Sequence, residues 1–177
     1  MTALTTSLVL ALGIVCAPAA TADDECTIAK KTSTSTVTLC AQPSSLTGQN
    51  FVSIWRDSVS NLTPQPISAT CKATTRGTVS FSYSFTGSAK IKAWVFADVS
   101  AEVSGGIKAS VSTGIDVSST FSIPGFRVVN CDRGIVRQNF SSRIKETTTH
   151  SGRAPQIRVL AHSGFAPVRA QWLIKQL

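Results

Sequence analysis

The stretch AKIKAWVFADVSAEVSGGIKASVSTGIDVSSTFSI, residues 89–123, carries the reading of the fold. Up to Val103 its apolar side chains fall on odd numbers, Ile91, Val95, Val99 and Val103 with alanines between them. The even positions hold Lys90, Lys92, Trp94, Phe96, Asp98, Ser100 and Glu102. After Gly105-Gly106 the odd series resumes with Ile107, Ala109, Val111, Thr113, Ile115 and Val117. A period of two is that of a strand with one buried and one wet face, so the stretch predicts two antiparallel arms joined at the glycines. A two-residue loop would set odd residues opposite even ones and is excluded, because a one-residue slip turns every apolar side chain to the wrong face. A three-residue turn of Ser104, Gly105 and Gly106 restores the match and supplies glycine for a left-handed position. Val103 then meets Ile107, Val99 meets Val111, Val95 meets Ile115, Glu102 faces Lys108, and Trp94 faces Asp116. Each arm would run about 50 Å at about 3.3 Å per residue.

Working outward, residues 78–85 alternate as strictly, with Val79, Phe81, Tyr83 and Phe85 on one side and Thr78, Ser80, Ser82 and Ser84 on the other. Residues 32–40 and 51–55 read as short strands, and 61–67, with Pro64 and Pro66, as a loop. Beyond Gly125 come shorter alternating pieces over 126–130, 135–138, 140–148, 156–161 and 168–175, with a turn expected at Asn130-Cys131-Asp132-Arg133-Gly134. No leucine occurs between Leu62 and Leu160, whereas Val, Ile, Thr and aromatics abound, and no helix is expected. The fold class is all-β: an elongated antiparallel sandwich or meander with one long amphipathic hairpin over about 89–123.

Residues 1–22 have the layout of a secretory signal, an apolar run ending near Ala20-Thr21-Ala22, although no Lys or Arg precedes Lys30. Residues 23–177 are then a single exported β domain. That part keeps Cys26, Cys40, Cys71 and Cys131, an even number that reads as two disulfides in an oxidising compartment. Three pairings are open. Cys26 with Cys40 and Cys71 with Cys131 is favoured, because the first pair flanks one short strand and the second brackets the hairpin.

The net charge of +8 belongs to the last third, where residues 126–177 hold nine basic and two acidic side chains. Arg127, Arg133, Arg137, Arg143, Lys145, Arg153, Arg158, Arg169 and Lys175 are the candidate docking set for an anionic membrane or cell-envelope surface. Nucleic acid is not an expected partner of an exported chain, and no cofactor or metal is expected. His150 and His162 are the only histidines, and no G-x-S-x-G, H-E-x-x-H or paired-carboxylate spacing occurs. Ser163 with His150 and Asp132 can be drawn as a triad, but any Ser-rich chain permits such a drawing. The expectation is a non-enzyme.

Two readings of the hairpin stay open. Its apolar face of Ile91, Val95, Val99, Val103, Ile107, Val111, Ile115 and Val117, opposite a face of Ser, Thr and charges, suits a strand pair that lines a membrane barrel. It equally suits a permanent strand pair packed in a sandwich, which would cover Trp94 and Phe96. The Ser/Thr-rich strand 78–85, the amphipathic residues 89–123 and the exit at Ile123-Pro124-Gly125 together resemble aerolysin-type, epsilon-toxin-like β-pore-forming proteins. The resemblance implies a secreted, elongated β-protein that assembles as a homo-oligomer on a membrane and refolds its hairpin into a barrel. The chain is short for that group and lacks an obvious receptor-binding domain. The alternative is a non-catalytic secreted binding module with a permanently packed hairpin.

Overall fold

In the computed structural model, residues 25–177 are described. The expected signal segment, residues 1–22, and the expected start of the exported domain lie outside them. In chain order the elements are β1 (Glu25–Lys31), β2 (Ser35–Ala41), β3 (Ser45–Ser60), β4 (Ile67–Ala73), β5 (Thr78–Ser80), β6 (Ser82–Tyr83), α1 (Ala89–Glu102), β7 (Ser110–Ser112), β8 (Val117–Ile123), β9 (Val128–His150) and β10 (Gln156–Gln176). The fold is mostly β, elongated and antiparallel. Its axis is the hairpin of β9 and β10, 23 and 21 residues long, paired from Gln156↔Thr148 to Gln176↔Val129. On its other side β9 takes β3 along its first half and β2 along its second, and β1 extends the sheet beyond β2.

The five alternating pieces expected after Gly125 are therefore two continuous strands. Asn130 to Gly134 is not a turn, because both edges of β9 are paired there, by β3 and by β10. Gly134 is needed for close approach: a Cβ at that position would collide with the Val52 carbonyl oxygen and the Phe51 ring. Asp132, a turn former in isolation, is buried and satisfied by Arg56 and Ser53. The strand expected over 32–40 is the seven-residue β2, which begins at Ser35, and the one expected over 51–55 grows into the 16-residue β3.

The hairpin expected over 89–123 does not form; residues 89–102 are a helix. Its odd apolar residues are two interleaved sets, each spaced by four. Ile91, Val95 and Val99 are fully buried along one helical stripe, while Ala89, Ala93, Ala97 and Ala101 are exposed. Alanine is the best helix former, and a spacing of four places the Ile/Val set on one side of a helix. Ser88 caps the start, its Oγ accepting from the Ile91 N–H at 3.4 Å. Ser104, Gly105 and Gly106 are not a hairpin turn. Gly105 and Gly106, at φ +80° and +69°, lead the chain away from the helix, and the Gly106 N–H donates to the Val103 carbonyl at 2.7 Å. The expected pairs Val99/Val111, Val95/Ile115, Glu102/Lys108 and Trp94/Asp116 are therefore absent.

What residues 107–123 pair with instead is the segment before the helix. β8 pairs with β4 from Ile67↔Ile123 to Ala73↔Val117, and β7 pairs with β5 from Thr78↔Ser112 to Ser80↔Ser110. One register serves both ladders: stepping inward from Ile67↔Ile123, one residue on each arm at a time, arrives at Ser80↔Ser110. The Phe81 N–H continues it by donating to the Ala109 carbonyl at 2.8 Å. The result is a two-stranded ribbon with a break at residues 74–77 and 113–116, where Gly114 and Asp116 take positive φ.

The main core lies between the sheet and the tip of this ribbon. Phe140 and Ile144 of β9, Leu39 and Ala41 of β2, and Ala166 and Val168 of β10 meet Tyr83, Phe85, Ile107 and the buried side of α1. Lys90 bonds Glu25 at 2.6 Å and Asp98 accepts the Ser44 N–H at 2.7 Å, so the helix is also pinned to β1 and to the link into β3. Cys26 pairs with Cys40 and Cys71 with Cys131, as favoured from the spacing. In the chain-entropy model these loops contribute about 3 and about 4 kcal/mol.

Candidate functional site

The ribbon separates its side chains more cleanly than the expected hairpin did. Because odd residues pair with odd ones, Ile67, Ala69, Cys71, Ala73, Val79 and Phe81 share a face with Ala109, Val111, Val117, Phe121 and Ile123, with Ser119, opposite Cys71, the polar member of that face within the ladders. The even face is Ser68, Thr70, Lys72, Thr78 and Ser80 against Ser110, Ser112, Ser118, Thr120 and Ser122, nearly all exposed. Thr70 and Thr120 hydrogen-bond across it at 2.8 Å, and Lys72 meets Asp116 at 3.0 Å. The apolar face is turned onto the sheet, as burial requires in water.

Three anchors hold the ribbon there. The deepest is Cys71–Cys131, with the two residues 1% and 0% exposed. In the middle, Arg133 donates from Nε and Nη2 to the Thr113 carbonyl, both at 3.3 Å. At the tip, Ser82 and Tyr83 pair with Phe165 and Gly164, the Ser84 N–H donates to Ser163 O at 3.0 Å, and the Tyr83 hydroxyl bonds Ser142 Oγ. Burial pushes the Tyr83 phenol above its ordinary pKa. Phe81 stacks on Phe140 at 5.8 Å and meets Phe96 edge-on at 5.2 Å. The ribbon thus touches odd residues of β9 at 131 and 133 but even ones at 140 and 142. Bulges in the flanking strands, at Ser53/Trp55 and Pro167/Arg169, lie where this change of face occurs.

The basic residues named from the sequence do not form one site. Arg133 is half-buried, its guanidinium over Trp172 at 5.6 Å, and desolvation lowers its pKa. Arg137 lies over Phe165 at 4.4 Å and donates to Asn50 at 2.8 Å. Arg169 is turned to Gln171 at 3.2 Å. Arg127 and Lys175 are exposed at the end of the sheet where β9 begins, and Arg153 lies in the loop between β9 and β10. Arg158 lies opposite Glu146, on the face that holds the core, whereas Arg143 and Lys145 project from the other face. The hypothetical triad does not assemble. Asp132, Ser141 (the ladder partner of Ser163) and His150 follow one another along β9 at nine-residue intervals, about 30 Å each. Among the described residues no group of three or more His, Cys, Asp or Glu is placed to hold a metal ion, and no helix is long and apolar enough to cross a membrane.

Sequence reasoning missed the first arm of the ribbon, residues 67–77, and the cluster of Trp55, Trp172, Arg56 and Asp132. Asp132 takes Arg56 Nε at 2.5 Å and Nη2 at 3.2 Å, and Ser53 Oγ at 3.2 Å. The Arg56 hydrogen bond holds its carboxyl below the usual carboxylate range, against the opposing effect of burial. A carboxylate whose pKa is depressed on folding adds stability above its unfolded value and loses it as pH falls through the folded one. Urea unfolding followed against pH is therefore expected to show stability falling below about pH 4. Asp132→Asn is expected to flatten that limb; an unchanged slope would assign it to other carboxylates.

No protein-family model and no curated protein matches the chain. Among solved structures it is similar to parasporin-2, a Bacillus thuringiensis toxin that recognizes cancer cells, at 12% identity. The likeness covers 81% of this chain and 74% of that one, with a TM-score of 0.24. This is a weak, partial structural resemblance to an aerolysin-type fold, too slight to bear on what the chain does.

Proposed function

We propose that this is a secreted, non-catalytic, membrane-active protein whose inserting element is the part of the ribbon beyond the Cys71–Cys131 staple, residues 72–83 and 107–118. The observation that carries the reading is the ribbon's register, which places every apolar pair on one face, with Ser119 opposite Cys71 among them, and a mainly Ser/Thr face on the other, over arms longer than a bilayer requires. A membrane strand takes about 9 to 11 residues, alternating lipid-facing and water-facing positions. In water the apolar face is covered by the sheet; in a bilayer lipid tails would take the sheet's place, while the Ser/Thr face lines water. One ribbon supplies two strands, and since the smallest membrane barrels have about eight, at least about four copies would join. The residues expected to insert are corrected accordingly: Ile107, Val111, Ile115 and Val117 belong to the ribbon, while Ile91, Val95, Val99 and Val103 belong to the helical tip and its exit.

The second reading, a permanent extracellular binding module, is favoured by the buried Cys71–Cys131 staple, which ties the ribbon to β9. One experiment separates the two. Single cysteines at Val79, Val111, Thr78 and Ser112 are labelled with an environment-sensitive fluorophore, and vesicles are loaded with dye. Insertion is expected to release dye and to raise emission at 79 and 111 several-fold more than at 78 and 112. An absence of dye release, or equal emission at both parities, would overturn the proposal in favour of the binding module.

A further inference from the structure

The face of the sheet that turns away from the ribbon carries an apolar patch that the core does not use. Side chains opposite one another in an antiparallel ladder share a face, so two rows can be read across four strands. One is Ile28, Thr38, Thr147 and Ile157; the next is Cys26, Cys40, Lys145 and Val159. Ile28, Ile157 and Val159 are 59%, 58% and 54% exposed, among the most open large aliphatics of the described residues. Around them stand cations: Lys145 within the second row, Arg143 one step along β9, and Lys31 beside Thr36 at the other edge. The nearest acidic groups face the other way. Glu146 belongs to the row of buried Leu39, and Glu25 is turned to Lys90 of the helix.

We infer that this face docks the protein on an anionic lipid surface, a step preceding ribbon insertion and therefore resting on the membrane-active reading above. Charge complementarity selects the partner. Three half-exposed β-branched or aliphatic side chains ringed by Lys and Arg match a headgroup boundary, where the apolar groups enter shallowly and the long cations reach the phosphates. A soluble polyanion would use the cations and leave the aliphatic row without a role. Of the nine basic residues named from the sequence, Arg143 and Lys145 sit on this patch, and Lys31 joins them from outside the basic last third. Arg127 and Lys175 lie about 50 Å away along the strands and take no part.

The test is co-sedimentation of the full exported chain with phosphatidylcholine vesicles, with and without phosphatidylglycerol, dye release being recorded separately. The wild type is expected to bind only the anionic vesicles, and less so as salt rises. Arg143→Gln with Lys145→Gln is expected to weaken binding about thirty-fold, about fivefold for each cation. Ile28→Ser with Ile157→Ser and Val159→Ser should weaken it at least about tenfold, since each removes apolar surface from the boundary. Arg127→Gln with Lys175→Gln should bind as the wild type does. Lys145 is half-buried and the other positions are exposed, and an unchanged thermal unfolding transition confirms that each variant folds. Wild-type binding by either the Gln pair or the Ser triple overturns the inference, as does retention on an anionic cell-wall polymer without retention on anionic vesicles. Binding without dye release leaves this docking face standing and rejects ribbon insertion instead.

Discussion

Joining the ribbon tip to the sheet by a Ser82→Cys, Phe165→Cys disulfide is expected to abolish dye release, by more than tenfold, until a reductant is added. Ser82 and Phe165 are directly opposite in the ladder of β6 and β10, and such pairs lie within the span of a disulfide. β6 is two residues long and gives the tip only a handful of hydrogen bonds to β10, each worth about 1 kcal/mol net. Most of the hold comes from burying Phe81, Tyr83 and Phe85 against Phe140. Lipid can replace that apolar contact but cannot break a covalent bond. Reduction should restore release, since Cys71–Cys131 is buried and shielded, and the wild type treated alike controls for Cys26–Cys40. Undiminished release from the oxidised variant would mean that the ribbon never leaves the sheet.

The second large effect concerns the tip itself. Val95→Asp is expected to destabilise the protein by about 4 kcal/mol or more, because it places a carboxylate where nothing is exposed and no partner waits. Ala97→Asp, two residues on and exposed, should cost less than about 1 kcal/mol. In a hairpin the two positions would share one face and fail together. Denaturant unfolding of both variants therefore distinguishes helix from strand, and equal losses would restore the strand.

Much of the fold was legible in the sequence. Period-two alternation in 78–85 and 107–123, β-branched composition and cysteine spacing gave the class, the antiparallel character of the sheets and both disulfides, though not the partner of residues 107–123. The central error has a definite cause. From Ala89 to Val103 large and small apolar residues alternate, so the same letters satisfy a strand at spacing two and a helix at spacing four. Arms on either side then compete for one partner. Residues 107–123 match 67–83 in parity as well as they match 89–103, and the first set also brings Cys71 to Cys131. The length of β9 was hidden for another reason. Asn130, Asp132 and Gly134 carry turn chemistry locally, but pairing on both edges and the Arg56 ion pair override it. The patch of Ile28, Ile157 and Val159 could not be seen before pairing, since its members come from two strands, β1 and β10, at opposite ends of the chain.

The Cys71–Cys131 link sets a ruler on whatever the ribbon becomes. Riveted at residue 71, the stem cannot be paid out below that point, so only residues 72–83 and 107–118 are free to travel, twelve on each side, about 40 Å of extended chain. That is enough to traverse one hydrocarbon layer and its headgroups, with little left to protrude. The remainder of the molecule must then ride close against the bilayer rather than stand off on a tall stalk.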